Sequence, residues 1–289
     1  MITDRQTDMV YFSGRITWRK VWPQLKDLLE ANGVRYGLLG GTRDIWARDF
    51  MPIQVAPDRF VAYSYDPDYG RDADSRKRIT DLAGVTGYEI SGRMEHTDLI
   101  IDGGNVIRCD EHVLMTDKVL MENWFRRGIP QHETLKEIER LFEAEPVILP
   151  WNFTDEWDFC GHADGMVRYL GNGRVLVNDM GDHSETLWQR DRVVDILERR
   201  GFSTFELSYG PGYHGVNSWA YLNYLQVGTK VFMPTVEREE DDRTAESLLK
   251  KAFGEGFDII PVPLLPIVKA NGKNYGGGAL NCISWNIMK

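Results

Sequence analysis

Cysteine is scarce, positive charge is outnumbered, and no long apolar run occurs. The 289 residues hold three cysteines, Cys109, Cys160 and Cys282, an odd number at wide spacing with no CxxC pair. That pattern excludes a disulfide framework and a structural zinc site, and predicts reduced thiols. No stretch reaches the roughly 20 apolar residues that a membrane helix needs, and the opening MITDRQTDMVYFSGR has no apolar core of a signal peptide. The expectation is a cytoplasmic protein that does not engage a membrane. Lys and Arg number 34 against 44 Asp and Glu, a net charge of −10. A nucleic-acid partner would call for a basic stripe, so none is expected, whereas a diffuse acidic field is compatible with a cationic ligand or with solubility alone. Neither a Pro/Gly/Ser-rich linker nor a low-complexity tract divides the chain, so residues 1–289 read as one domain, and 42% hydrophobic residues can fill its core.

What is present is a repeat. Apolar runs joined by a short polar turn occur at LIIDGGNVIRCDEHVLMTD (99 to 117), at GMVRYLGNGRVLVND (165 to 179) and, less cleanly, at SWAYLNYLQVGTKVFMP (218 to 234). Asp110-Glu111, Gly171-Asn172-Gly173 and Gly228-Thr229 supply hairpin turns. Each pair is followed by helical periodicity, over 133 to 142, 187 to 201 and 242 to 256. In the second helix Leu187, Val193, Val194 and Leu197 share a face and Gly201 closes it. The short strands PVILPW, FSTFELS and FDIIPVP come next. Strand, strand, helix, strand thus recurs at roughly 50 to 60 residues, with length for about five units. A ring of such units would bring loops that are distant in sequence to one axis.

Four clusters combine glycine or aromatic punctuation with reactive residue types: Trp46-Ala47-Arg48-Asp49, Asp102-Gly103-Gly104-Asn105, Gly161-His162-Ala163-Asp164, and Gly276-Gly277-Gly278-Ala279-Leu280-Asn281-Cys282. Cys282 follows three glycines, which permit close approach of backbone to a ligand and unusual dihedrals. Taken alone a cysteine is a small buried hydrophobe; as a nucleophile it needs a neighbouring base or a lowered pKa. His162 can serve as base or acid. Asp164, two residues on, would share its face if the segment is a strand. A structural His–Asp pair is the plain alternative, and an oxygen-rich metal site of His162, Asp164, Asp49 and Asp102 is a weaker one, since no HExxH or cysteine cluster supports it. Asp49 either caps a turn or, with Asp164, grips a planar cation by charge-assisted hydrogen bonds. Asp102 is a turn residue or the group that orients the imidazole.

In this order the motifs WARD, DGGN, GHADGMVRY, AYLNYL and GGGALNC resemble the agmatine deiminase and bacterial peptidylarginine deiminase family of the guanidine-modifying superfamily, over residues 46 to 282. The resemblance implies a five-bladed α/β propeller of pseudo-symmetric ββαβ repeats, needing no cofactor and no metal. It implies a hydrolase acting on C–N bonds of linear amidines: Cys282 attacks the guanidinium carbon, Asp49 and Asp164 hold its nitrogens, and His162 protonates departing ammonia and then activates water against a covalent thiouronium. Asp102 stands behind His162, where the family often has Glu. Trp46, Gly278 and Asn223, in AYLNYL read as a strand, fall beside the substrate.

Departures bear on the substrate. The agmatine deiminase terminus GGGNIHCIT becomes GGGALNCIS, with Ala279, Asn281 and Ser284 in place of Asn, His and Thr. Where the bacterial peptidylarginine deiminases carry a carboxylate-binding arginine pair, the segment YSYDPDYGR (63 to 71) offers Asp66 and Asp68, which suit an amine tail and repel a carboxylate. Arg71, Arg76 and Arg78 lie near enough to reverse that preference. The favoured reading is agmatine hydrolysed to N-carbamoylputrescine and ammonia. Peptidylarginine or free arginine as substrate, amidino transfer or dihydrolase chemistry, and a silent binding propeller remain as alternatives. Whether copies form a homo-oligomer is not set by the sequence.

Overall fold

In the computed structural model, described for residues 1–68, 72–152, 160–179, 184–208, 218–236, 238–264 and 278–289, five three-stranded sheets follow one another along the chain. The first holds β1 (Met9–Ser13), then helix α1 (Trp22–Ala31) and β2 (Arg35–Leu39); the short α2 (Ala47–Phe50) leads out of it. The second is β3 (Ile53–Ala56), β4 (Arg59–Ser64), α3 (Ala73–Arg76) and β5 (Arg93–Ile100). The third is β6 (Ile107–Cys109), β7 (His112–Thr116), α4 (Lys118–Glu122), α5 (Gln131–Phe142) and β8 (Glu145–Leu149). Then come β9 (Val167–Gly171), β10 (Arg174–Asn178), α6 (Ser184–Arg199) and β11 (Ser203–Leu207). After α7 (Ser218–Leu222) the last unit runs β12 (Leu225–Val227), β13 (Lys230–Thr235), α8 (Glu239–Phe253) and β14 (Asp258–Pro263), before β15 (Ser284–Ile287).

Each sheet joins an antiparallel pair to a parallel strand that returns through a helix, and in four of the five that pair is a hairpin, as in β9, β10 and β11. The hairpin turn between β9 and β10 uses Gly171, Asn172 and Gly173 at φ of 92, 54 and 69°, the left-handed region that glycine and asparagine tolerate best. The helices bury one stripe: in α6, Val193 and Leu197 are fully buried and Val194 packs beside them. Leu187 lies outside the residues whose side chains are described.

The first sheet is assembled from both chain ends. β15 pairs antiparallel with β1 (Met9 opposite Ile287, Phe12 opposite Ser284), and β1 pairs parallel with β2. The ring is therefore a propeller of five blades, closed by the C-terminal strand. The antiparallel edge strands face inward: Arg108 of β6, Arg168 of β9, Gln226 of β12 and Asn286 of β15 are all buried, and Asn286 Nδ2 donates to the Gln226 carbonyl at 2.7 Å.

Two local expectations change. AYLNYL is not a strand: Ser218–Leu222 is helical and the strand begins only at Leu225. Residues 220 to 222 are buried on every side, so the alternation that separates strand from helix is missing. Leu99 and Ile100 end β5 rather than opening the hairpin, which is β6–β7 alone. Between them Gly103–Asn105 turns in a 3-10 geometry, pressed so tightly on the chain that a Cβ at Gly103 would sit 2.0 Å from the Arg48 carbonyl oxygen. No helix among the described residues is long and apolar enough to cross a membrane.

Candidate active site

Cys282 lies in the turn that leads into β15, and this turn is held by one side chain. Asn223, just past α7, accepts at Oδ1 from the Ala279 N–H (3.1 Å) and the Cys282 N–H (3.3 Å), and its carbonyl accepts from the Asn281 N–H at 3.0 Å. The Arg48 N–H, from WARD, closes the other side on the Cys282 carbonyl at 3.1 Å. Sγ of Cys282 rests 3.3 Å from Asn223 Oδ1 and 3.4 Å from Asp164 Oδ2. The glycine of closest approach is Gly278, at φ 137°: a Cβ there would lie 2.7 Å from the Trp46 ring and 3.0 Å from Sγ. Trp46 and the thiol therefore meet across a position that only hydrogen can occupy. Gly276 and Gly277 fall outside the described residues.

His162 and Asp164 are not on a strand, so the shared face that a strand would give them does not arise. His162 is extended and caps a 3-10 turn over Ala163–Gly165 that carries Asp164 to the Cys282 side. The turn is anchored by Asn105 of DGGN, whose Oδ1 accepts from the Ala163 N–H (3.2 Å) and the Thr116 N–H (2.8 Å). Asp164 Oδ2 also accepts from Asn281 Nδ2 at 2.7 Å, so the residue that departs from the family's His is tied directly to the carboxylate. Asp49 Oδ1 accepts from the Gly104 N–H (3.0 Å) and lies 3.8 Å from His162 Nδ1, while Nε2 of the same ring is 3.1 Å from Asp102 Oδ2. A Cβ on Gly104 would come 2.6 Å from His162 Nδ1 and 2.9 Å from Asp49 Oδ1, which explains the second glycine of DGGN.

Burial and crowded charge set the protonation states. Burial pushes the Asp49 carboxyl up to about 7, against the pull of His162 and with help from Asp102 and Asp164. For His162, burial acts downward but the Asp102 hydrogen bond and the Asp49 charge outweigh it, raising the imidazole to about 9. Burial would raise Asp102, yet Lys118 and His162 hold it well below the usual carboxylate range. Cys282 is pushed well above a normal thiol by burial first and then by Asp164 and Asp49. The site thus presents a thiol kept protonated by burial, an imidazole whose charge is favoured by Asp102 and Asp49, and an Asp49 carboxyl whose charge is disfavoured by burial.

Behind His162 lies a buried network that neither motif nor spacing disclosed. Lys118 Nζ, 1% exposed, donates to Asp102 Oδ2 at 2.7 Å and to Glu122 Oε2 at 2.9 Å, and lies 3.4 Å from Asp68 Oδ1. Glu122 then meets Arg126 at 3.1 Å, and Arg126 binds both the carboxylate and the carbonyl of Asp66. Arg76 is 4.0 Å from Asp66, and Arg71 falls outside the described residues. Asp68 is thus connected to the imidazole through Lys118 and Asp102, and Asp66 through Arg126, Glu122, Lys118 and Asp102. In sequence Lys118 and Glu122 look like an ordinary exposed i, i+4 helix pair, so nothing flagged their burial. Among the described residues no group of three or more His, Cys, Asp and Glu is placed to hold a metal ion.

A family model described as Porphyromonas-type peptidyl-arginine deiminase matches residues 24–287. Among solved structures, a substrate-bound agmatine deiminase from C. jejuni aligns with a TM-score of 0.71 at 15% identity, over 100% of this chain and 96% of that one. The agmatine deiminase of Enterococcus faecalis gives 0.72 at 14% identity, over 99% and 94%. DDAH from Pseudomonas aeruginosa, complexed with citrulline, gives 0.59 at 13%, over 98% and 100%. At these identities the alignments establish a shared five-unit propeller fold. No curated protein matches.

Proposed function

Because the chain belongs to the Porphyromonas-type peptidyl-arginine deiminase family, enzymes of C–N bonds in linear amidines, we propose that it deiminates a small guanidine through a covalent intermediate on Cys282. The observation that carries this reading is the 3.4 Å approach of the Cys282 thiol to Asp164, a carboxylate opposite Asp49 and His162 in one buried site. A guanidinium is resonance-stabilised and a poor electrophile, so two carboxylates that fix its orientation over a nucleophile supply the needed proximity.

In the proposed sequence the bound cation lowers the pKa of Cys282, offsetting the carboxylates that raise it. The thiol then gives its proton to water, and thiolate sulfur adds to the guanidinium carbon to give a neutral tetrahedral adduct. His162 enters as imidazolium and protonates one amino group. Its C–N bond breaks, ammonia leaves, and a cationic thiouronium remains. The neutral imidazole next takes a proton from water as the hydroxide oxygen adds to carbon. Collapse breaks the C–S bond, and the protonated ureido product gives its extra proton to the departing thiolate, which restores the thiol. Asp102 orients the ring throughout.

For substrate, the proposal favours agmatine over arginine. Asp66, Asp68, Asp102 and Glu122 are met in this network by Lys118, Arg126, Arg76 and the His162 ring, so it carries no net excess of carboxylate. Asp66 and Asp68 are both engaged by these cations, so the preference rests on the acidic character of that segment, which suits an amine tail better than a carboxylate. A reduced Cys282 is required, which fits a cytoplasmic location. Ammonia release should be measured with agmatine, free arginine and a blocked peptidylarginine, with Cys282→Ala as control. Turnover of agmatine, lost in the variant, is expected. Turnover of peptide alone would retain the mechanism and discard the substrate, and activity surviving in Cys282→Ala would sink the covalent route.

A further inference from the structure

Beside the nucleophile turn, the inner strands bound a second polar site. Its cavity, about 20 Å³, is bounded by Asp4, Arg48, Arg108, Arg168, Tyr169 and Asn281. That is room for one water or one atomic ion. Arg108 and Arg168 are buried to 8% and 2% exposure. Arg108 binds Asp4 and Asn286 Oδ1 (3.0 Å) through Nη2 alone. Arg168 donates to Asp4 Oδ2 (2.7 Å) and the Tyr224 carbonyl (3.0 Å), with its guanidinium 4.3 Å over the Tyr224 ring. Arg48 uses Nη2 on Asn286 Oδ1 (2.8 Å) and Nε on the Asn281 carbonyl (3.4 Å).

The charges do not balance. Three guanidinium groups face Asp4, and the nearest further anion, Asp164, acts on Arg48 and Arg168 from the active-site side. Counting both carboxylates, three positive less two negative leaves one positive charge in excess, in a buried place where an uncompensated ion is costly. Arg48 bears the strain: burial and its two arginine neighbours lower its guanidinium to about 10. From the cavity's size, its donors and its charge we propose that it binds one small monovalent anion of the halide class, chloride in the cell. A tetrahedral oxyanion exceeds the space, and a neutral water would leave the excess charge in place. The bound ion would hold together Arg48, whose backbone fixes Cys282, and the inner strands β6, β9 and β15. It is a cavity separate from the guanidine pocket, linked to it through Asp164 and the Cys282 turn.

Thermal unfolding in chloride, bromide and gluconate at constant ionic strength tests this on the intact protein. A specific anion that binds only the folded state raises Tm with the logarithm of its concentration. Tm should climb with chloride and bromide but not gluconate, more steeply in Asp4→Asn, which removes the competing carboxylate, and not in Arg108→Met. A wild type indifferent to chloride over gluconate overturns the proposal, as does an unchanged chloride response in Arg108→Met. Should Arg108→Met fail to fold, bromide-soaked wild-type crystals decide: anomalous density between Arg48, Arg108 and Arg168 is the expected result, and its absence removes the site.

Discussion

At the scale of single residues, two groups assigned to the proposed reaction carry opposite pH signatures. Asp49, raised to about 7, holds a cation only when ionised, so its contribution appears as pH rises through about 7. His162, raised to about 9, donates a proton only as imidazolium, so its contribution is lost as pH rises through about 9. A kcat/KM profile that climbs through the first value and falls through the second is expected; a flat profile over this window would show that neither group titrates in the free enzyme. The residues behind this behaviour were largely visible in sequence: Cys282, His162, Asp164, Asp49 and Asp102 sit in punctuated motifs, and the structure gathers them in one place. The reasons for the punctuation were not visible. Gly104 is glycine because His162 Nδ1 and Asp49 Oδ1 occupy the space of a Cβ, and both lie far from it in sequence.

Among elements, α4 shows what periodicity misses. It is five residues long, and four of them, Lys118, Val119, Leu120 and Glu122, are buried, so it has no polar face to mark it. Its Lys118 is held cationic: burial acts against the charge, but Asp102, Glu122 and Asp68 prevail. Removing one partner of such a cluster leaves charges buried and unpaired, so Lys118→Met should cost about 3–5 kcal/mol of unfolding free energy. It should also move the alkaline limb of the rate profile upward, because Lys118 now depresses the His162 pKa. Destabilisation with an unmoved limb would reduce the lysine to a structural role. Longer helices were legible, with ends displaced. α5, α6 and α8 begin at 131, 184 and 239, two or three residues before their apolar pattern starts at 133, 187 and 242. First turns such as Glu239, Glu240 and Asp241 complement the helix dipole and carry no hydrophobic period.

Over the whole molecule, the fold depends on one join between the ends of the chain. Trp285 of β15 packs against Tyr11, Phe60 and Tyr88, at ring separations of 5.3, 6.2 and 5.6 Å, and its Nε1–H donates to the Pro52 carbonyl at 2.7 Å. A chain ending at Ile283 loses this staple and leaves β1 with an unpaired edge. It should show no single cooperative urea transition; retention of wild-type cooperativity would mean that the ring does not need closing. The sequence by itself determined the repeat, the helices and the candidate site residues, because periodicity and turn chemistry are local properties of neighbouring side chains. Only the tertiary structure decided that both termini build one blade, that His162 and Asp164 leave a 3-10 turn toward different partners, and that Lys118 and the arginines of the axis are buried. These depend on which strands meet across the ring, and burial of a charge is legible only once the opposite charge that compensates it has been placed.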